Sequence, residues 1–384
     1  MKRFIESYIK KDLSKKMVFL GGPRQVGKTT LAQNILKNFS YKKMRKGLYL
    51  NWDFDEDRYN IMNKRWDDIH ELIVLDELHK YPIWKNWIKG IYDKKRLLHK
   101  FLITGSARLD IYRRGGDSLL GRHHYWRLHP LTIDELPPKM TQKEGFKRLM
   151  KLGGFPEPFL DGSEQSARRW RKERFDRILK EDVRDIEFIK KIQNMILFVD
   201  LLRRNAGQMT VLSNMANKIQ ISPRTAKLWL EVLNRMYLCF TVLPYTKKLS
   251  RAIQKPAKVY FFDNADLIID QDEGPRFENL VATHLLKKIH YLEDAKGFNF
   301  EIKYLRDKEA REVDFVLLKN NILFALIEVK LKDNKISKSL QYYSEKLKPK
   351  HSIQIVAELK QEYKQNNCRV LSLPTALKVL FSNI

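Results

Sequence analysis

The sequence predicts an α/β protein: a mostly parallel sheet with helices on both faces in the first third, and further domains behind it. Three observations carry this expectation. Short apolar runs at Met17–Leu20, Leu48–Asn51, Leu72–Leu75 and Phe101–Thr104 alternate with helical patterns such as Thr29–Asn38 and Trp84–Asp93, the order that builds parallel sheets. The first run leads without a gap into a glycine-bearing turn, Gly22–Thr29. The third run ends in two acids, Asp76 and Glu77.

The chain has 384 residues, too many for one ordinary core and enough for two or three domains. Hydrophobic residues make up 43% of it, which supports real cores. No stretch approaches the roughly 20 consecutive apolar residues of a membrane span. The start, Met1-Lys-Arg-Phe-Ile-Glu6, lacks the apolar run of a signal peptide. A soluble, cytoplasmic protein without a membrane partner is expected. Cys239 and Cys368 lie far apart, so neither a zinc cluster nor a disulfide framework is expected. Lys and Arg number 74 against 46 Asp and Glu, a net charge of +28. Such an excess favours polyanionic partners, DNA first and an acidic membrane surface second. A solvated basic surface without a partner gives the same count.

The turn reads Gly22-Pro23-Arg24-Gln25-Val26-Gly27-Lys28-Thr29, with Thr30 next in the helix that leaves it. It fits the P-loop pattern G-x-x-x-x-G-K-[ST], and it sits between a strand and a helix as that pattern requires. The glycines let main-chain N–H groups curl around phosphate oxygens, and the helix N-terminus adds its dipole. Lys28 is expected to reach the β and γ phosphates of ATP, and the Thr29 hydroxyl to ligate Mg²⁺. Asp76 would hold the same ion through water, and Glu77 would orient or deprotonate the attacking water. A strand ending in solvated acids is the plainer alternative. Thr104 or Ser106, at the end of the fourth run, would face the γ-phosphate. The cation that phosphoryl transfer needs could come from Arg108, Arg113, Arg114 or Arg122, and Arg122 is favoured because it follows Gly121 after an apolar pair.

These residues resemble the AAA+ superfamily, most closely its prokaryotic members with a C-terminal domain of unassigned function. The matching text is Gly22–Thr30, Leu75-Asp-Glu-Leu-His-Lys-Tyr-Pro82, Ile103-Thr-Gly-Ser106, Gly121-Arg122, Pro130-Leu131 with Glu135, and Gly153-Gly-Phe-Pro156. The resemblance covers most of the chain and is specific at the two Walker motifs. It implies a P-loop AAA+ parallel sheet core over 1–135, a helical lid over 136–200, a winged-helix domain over 201–250 and a C-terminal α/β restriction-endonuclease-like domain over 251–384. It also implies Mg²⁺-dependent ATP hydrolysis and is compatible with a homo-oligomer in which a neighbouring subunit's arginine completes the site, with monomer, dimer and hexamer all left open.

Thr210–Lys218 and Ser222–Met236 are two helical patterns with a short turn between them. Ser222 is placed to cap the second, and Pro223 stands where it costs nothing. Ala226, Trp229 or Leu230, Leu233 and Met236 would face a core. Arg224, Thr225, Lys227, Leu228 and Arg235 would face outward, and Arg224 and Lys227 are the candidate DNA contacts. A fold that only packs between domains is the alternative.

In the last third, Val313, Phe315 and Leu317 alternate with Asp314, which therefore lies on the opposite face of a strand. Glu328 and Lys330, two apart at the end of the next apolar run, share a face. Two carboxylates and a lysine so placed can hold Mg²⁺ against a scissile phosphate and polarise water. The set resembles the PD-(D/E)xK nucleases, with Val313 where the nominal signature has proline. That resemblance implies roles for Glu278 on the preceding helix and for Gln341, followed by two tyrosines, on the following one. Asp314 and Glu328 would be the metal ligands. A nuclease-like fold that only binds is the alternative. Together the readings give a Mg²⁺-dependent ATPase acting on DNA and coupled to cleavage of branched or flapped DNA. The alternative is an ATP-gated switch that recruits a partner protein through an inactive nuclease-like domain.

Overall fold

The computed structural model describes residues 2–43, 46–105, 119–179, 192–246, 256–268, 273–332, 335–382 and 384. The chain divides into two compact units, Met1–Pro130 and Leu131–Ile384.

The first unit is an α/β layer. Its strands are β1 (Met17–Gly21), β2 (Lys46–Asn51), β3 (His70–Asp76), β4 (Lys100–Thr104) and β5 (His123–Arg127). All pair in parallel, in the order β2-β3-β4-β1-β5. β1 and most of β3 and β4 are buried on both faces, which is why they read as unbroken apolar runs rather than alternating ones. β5 has the sequence His-His-Tyr-Trp-Arg and lies on the sheet edge. Its polarity hid it from an apolar-run reading. The core gathers Phe19, Ile73, Leu75, Phe101 and Ile103 against Trp84, Ile88, Ile91 and Tyr92 of the helix Trp84–Lys95, whose buried positions follow helical spacing. Because β4 lies between β1 and β3, the strand ends bearing the P-loop, Thr104 and Asp76 come together at one carboxyl edge.

The second unit combines helices with one nine-stranded sheet, ordered β13-β14-β12-β11-β10-β9-β7-β8-β6. The strands are β6 (Met209–Thr210), β7 (Cys239–Pro244), β8 (Ala257–Phe261), β9 (Phe300–Arg306), β10 (Glu312–Lys319), β11 (Ile322–Lys330), β12 (His351–Val356), β13 (Tyr363–Gln365) and β14 (Cys368–Leu371). β7 pairs antiparallel with β8 and parallel with β9, at Leu243 with Lys303 and Pro244 with Tyr304. β7 thereby joins the strands beside the short helices to the C-terminal strands in one continuous sheet.

The 23-residue helix Gly274–Lys296 carries a buried stripe that includes Phe277, Val281, Leu285 and Ile289. Its Asn279, fully buried, accepts from Phe261 N (2.7 Å) and donates to Phe261 O (2.8 Å), so both main-chain groups of that strand end are satisfied. Farther along the helix, Lys287 pairs with Glu135 and Lys288 with Asp134. Earlier helices run Gln142–Leu152, Pro156–Asp161, Glu164–Arg177 and Ile192–Arg204. Gly153 ends the first of them with φ 81°, and a Cβ there would lie 1.8 Å from Asp263 Oδ1. Leu212–Lys218 and Pro223–Arg235 form the helix pair, and Ser222 caps the second by accepting from Thr225 N at 3.0 Å.

Candidate functional site

In the first unit the chain leaves β1 through Gly22–Thr29 and enters the helix Lys28–Lys43. Three loop residues have positive φ: Gly22 at 138°, Gln25 at 62° and Gly27 at 93°. A Cβ on Gly22 would lie 2.3 Å from the Leu128 carbonyl oxygen, so that position takes only glycine. Arg3, itself buried, donates to Val26 O (3.1 Å) and to His129 O, tying the loop to the residues that follow β5. The Lys28 ammonium is buried and donates to Gly22 O (3.0 Å) and Pro23 O (2.6 Å).

Asp76 is buried at the end of β3, and hydroxyls hold both of its oxygens. Thr29 donates to Oδ2 at 2.7 Å, Tyr49 donates to Oδ2 at 2.6 Å, and Thr104 donates to Oδ1. These donors are neutral and leave the carboxylate its charge. Tyr49 comes from β2, and the sequence offered no pattern that singled it out. Burial, then the bond to Asp76, pushes its phenol well above the ordinary range. Glu77 has a left-handed backbone, φ 56°, which a side chain adopts only where its surroundings impose it. Burial raises its carboxyl above the usual range against the pull of Lys80 and Lys28, the direction a general base near neutrality needs. His79 Nε2 lies 3.7 Å and Lys80 Nζ 3.4 Å from Glu77 Oε2.

Ammonium, hydroxyl and carboxylate at one sheet edge fit a magnesium nucleotide, whose metal takes hard oxygen ligands. Arg122 is partly exposed, and its guanidinium holds Asp93 with two bonds, of 2.7 and 3.0 Å. Ser106, Arg108, Arg113 and Arg114 lie outside the described residues.

The second unit brings Glu278, Asp314, Glu328 and Lys330 together, with three residues that the sequence reading did not name. Lys258 on β8 has a side chain only 3% exposed. Its Nζ lies 2.6 Å from Glu312 Oε1, 3.4 Å from Glu278 Oε1 and 3.8 Å from Asp314 Oδ1. The Tyr260 hydroxyl donates to Glu278 Oε1 at 2.6 Å. Asp314 Oδ2 accepts from Val329 N at 2.8 Å, and Lys330 pairs with Glu328 Oε1 at 2.9 Å. Burial, then Asp314, raises both Glu278 and Glu328 to about 7. Burial also raises Asp314, against the pull of Lys258. Burial by itself would lower the Lys258 ammonium. The facing Glu278, Asp314 and Glu312 more than offset that and hold it above its ordinary value. Among the described residues, no group of three or more His, Cys, Asp or Glu is arranged to hold a metal ion. An ammonium among these oxygens does not fit a divalent ion at the same place. A charged residue inside the apolar run Ala257–Phe261 was the signal available in the sequence for Lys258.

Gln341 is exposed, and its amide donates to Glu345 at 3.3 Å rather than into the cluster. On the helix Pro223–Arg235, Ala226, Trp229, Leu230, Val232 and Leu233 are buried. Arg224, Lys227, Leu228, Glu231 and Arg235 are exposed. Among the described residues no helix is long and apolar enough to cross a membrane.

Three family models match successive parts of the chain: an AAA domain at residues 14–137, a domain of unknown function (DUF8612) at 143–269 and another (DUF4143) at 273–376. An uncharacterized protein of Methanocaldococcus jannaschii is 23% identical over 370 residues, covering 87% of this chain and 79% of the relative. An uncharacterized protein of Mycobacterium tuberculosis is 23% identical over 253 residues, covering 64% of this chain. The match spans 54% of that mycobacterial relative's length. Among solved structures, the Aeropyrum pernix ORC1 protein in complex with DNA is 11% identical, covers 75% of this chain and 95% of its own, and superposes with a TM-score of 0.35. Residues 14–137, which hold the parallel five-stranded sheet and the P-loop, are similar to the AAA domain family.

Proposed function

We propose that the protein is a Mg²⁺-dependent ATP hydrolase that works on DNA. The observation that carries the hydrolase reading is Asp76, a buried carboxylate held by the hydroxyls of Thr29, Thr104 and Tyr49 one residue before Glu77. Magnesium ATP supplies the electrophilic γ-phosphorus and the leaving ADP. Lys28 and the loop main chain bind the β and γ phosphates. Thr29 and Asp76 hold the ion. Thr104 orients Asp76, and Glu77 takes the proton of the attacking water as the bond to the β–γ bridging oxygen breaks. Phosphate release from ATP tests this assignment. Glu77→Gln should bind a fluorescent nucleotide as the unaltered protein does but turn it over about 10²–10⁴-fold more slowly. Lys28→Ala should lose both binding and turnover. Full turnover by Glu77→Gln would remove Glu77 from the reaction.

The net charge of +28 and the exposed Arg224, Lys227 and Arg235 on one face of a helix support DNA as the partner. In this reading the short helices around Ser222 act as a winged helix and the C-terminal strands as a nuclease-like fold. Affinity for double-stranded DNA should fall steeply between 50 and 200 mM salt, by about 10³-fold for some six phosphate contacts. Affinity indifferent to salt would exclude phosphate-led binding.

A second reading has a specific observation behind it. The carboxylates of the C-terminal unit are engaged by an internal lysine, which favours an ATP-gated binding module over a nuclease. It expects no Asp314-dependent cleavage of linear, flapped or four-way DNA in Mg²⁺ or Mn²⁺.

A further inference from the structure

Four carboxylates, those of Glu278, Glu312, Asp314 and Glu328, meet where β8, β10 and β11 are joined by the long helix. Among the described residues, three cations pair with them: Lys258, Lys330 and Arg306, which donates to Glu312 Oε2 at 2.6 Å. Glu328 Oε2 is buried and, among the described residues, without a hydrogen-bond partner, on a side chain 6% exposed. Lys258 does not pair with this orphaned oxygen, which is a carboxylate lone pair available to a metal only where the neighbouring Glu278 and Asp314 are released from the ammonium.

The cation present is Lys258. An ammonium carries three N–H donors, and three carboxylates surround this one at 2.6–3.8 Å. Its nitrogen stands among oxygens that a magnesium or manganese ion would need to approach at about 2.0–2.2 Å. Two cations cannot share that volume. Lys258 is also fixed in place: it sits on the central one of three paired strands, between β7 and β6.

We propose that the Lys258 ammonium is the resident cation of this centre, keeping it free of divalent metal, and that a neutral residue at 258 opens a divalent-cation site on Glu278, Asp314 and Glu328. The inference deepens the binding-module reading by naming what excludes the metal. The ATPase assignment does not enter it.

The test is Mn²⁺ binding to the nucleotide-free full chain, read by electron paramagnetic resonance. The proteins are the unaltered chain, Asp314→Asn, Lys258→Met and Lys258→Met/Asp314→Asn. The unaltered chain and Asp314→Asn should hold the same number of Mn²⁺ ions. Lys258→Met should gain one ion per chain, bound at least about tenfold more tightly than any site in the unaltered chain. The double variant should lose that gain. Loss of one ion in Asp314→Asn would overturn the proposal, and so would a folded Lys258→Met that gains none. Should Lys258→Met fold poorly, Lys258→Gln in rising MnCl₂ replaces it: its melting temperature should climb while that of the unaltered chain stays level. Equal response of the two would overturn the proposal. ATP turnover is measured on the same samples, so loss of the ATPase reading registers separately.

Discussion

Each unit of this protein buries a lysine near buried carboxylates, and the two solve the resulting electrostatics in opposite ways. In the first unit Lys28 donates to the carbonyl oxygens of its own loop, while Asp76 is held by three hydroxyls. In the second unit Lys258 sits directly on the carboxylates of Glu278, Glu312 and Asp314. Hydroxyl donors satisfy the lone pairs of a carboxylate without cancelling its charge, which is what the proposed magnesium site at Asp76 requires. An ammonium cancels that charge from within. In the first arrangement neutral donors meet the carboxylate, and in the second an internal ammonium meets three of the four carboxylates. Buried acids near a lysine therefore mean little until their donors are known.

The largest expected effect separates the two units by stability. Lys258→Met removes one partner from a buried ion cluster and leaves charges uncompensated, which should cost about 3–5 kcal/mol in urea unfolding. Asp76→Asn leaves neutral donors facing a neutral acceptor, and should cost only about 1 kcal/mol while abolishing ATP turnover. Equal losses in the two variants would break the contrast.

Next in size is a test of whether the second unit stores other buried polar groups for architecture. His284 is fully buried, accepts from Ile133 N at 3.0 Å through Nε2 and has Nδ1 2.7 Å from Leu280 O. Burial lowers it to about 4, against an ordinary 6.5, with Asp134, Lys287 and Lys288 as its charged neighbours. The unfolded chain therefore binds the proton first as pH falls. The contribution of neutral His284 is fully present above pH 6.5 and is lost as pH drops toward 4, by up to about 3 kcal/mol. The fall in unfolding free energy over that interval should be shallower in His284→Gln, whose side chain does not titrate. An unchanged slope would place the acid sensitivity elsewhere.

The smallest expected effect concerns the hydroxyl cage. Tyr49→Phe deletes one of three donors to Asp76 and should cost about 1 kcal/mol of stability. ATP turnover should fall less than tenfold, because Thr29 and Thr104 remain. A loss as deep as that of Lys28→Ala would make the phenol part of the binding machinery rather than a support for Asp76.

Much of the first unit was legible because its signals are local. Three of its five strands, β1, β3 and β4, are apolar runs largely buried on both faces, β2 is a partly buried run, and the P-loop and paired acids sit directly at strand ends. β5 escaped because an edge strand needs no apolar run. In the second unit the reading placed Asp314, Glu328 and Lys330 together from strand alternation, and the structure brings them together. It missed Lys258 and Glu312, whose part depends on pairing between strands distant in sequence. It also carried Gln341 over from a resemblance, and the structure leaves that side chain exposed beside Glu345.

The amino-acid sequence by itself determined the P-loop, the acids beside it and the order of strands that brings them to one edge, since each depends on neighbours a few residues away and on burial of apolar runs. Only the tertiary structure decided which donors meet the carboxylates. Tyr49 reaches Asp76 because β2 pairs with β3. Lys258 reaches Asp314 although 56 positions separate them, because the sheet and the long helix bring β8 and β10 to one centre. Charge pairing acts over a few ångströms of space, and distance along the chain does not measure it.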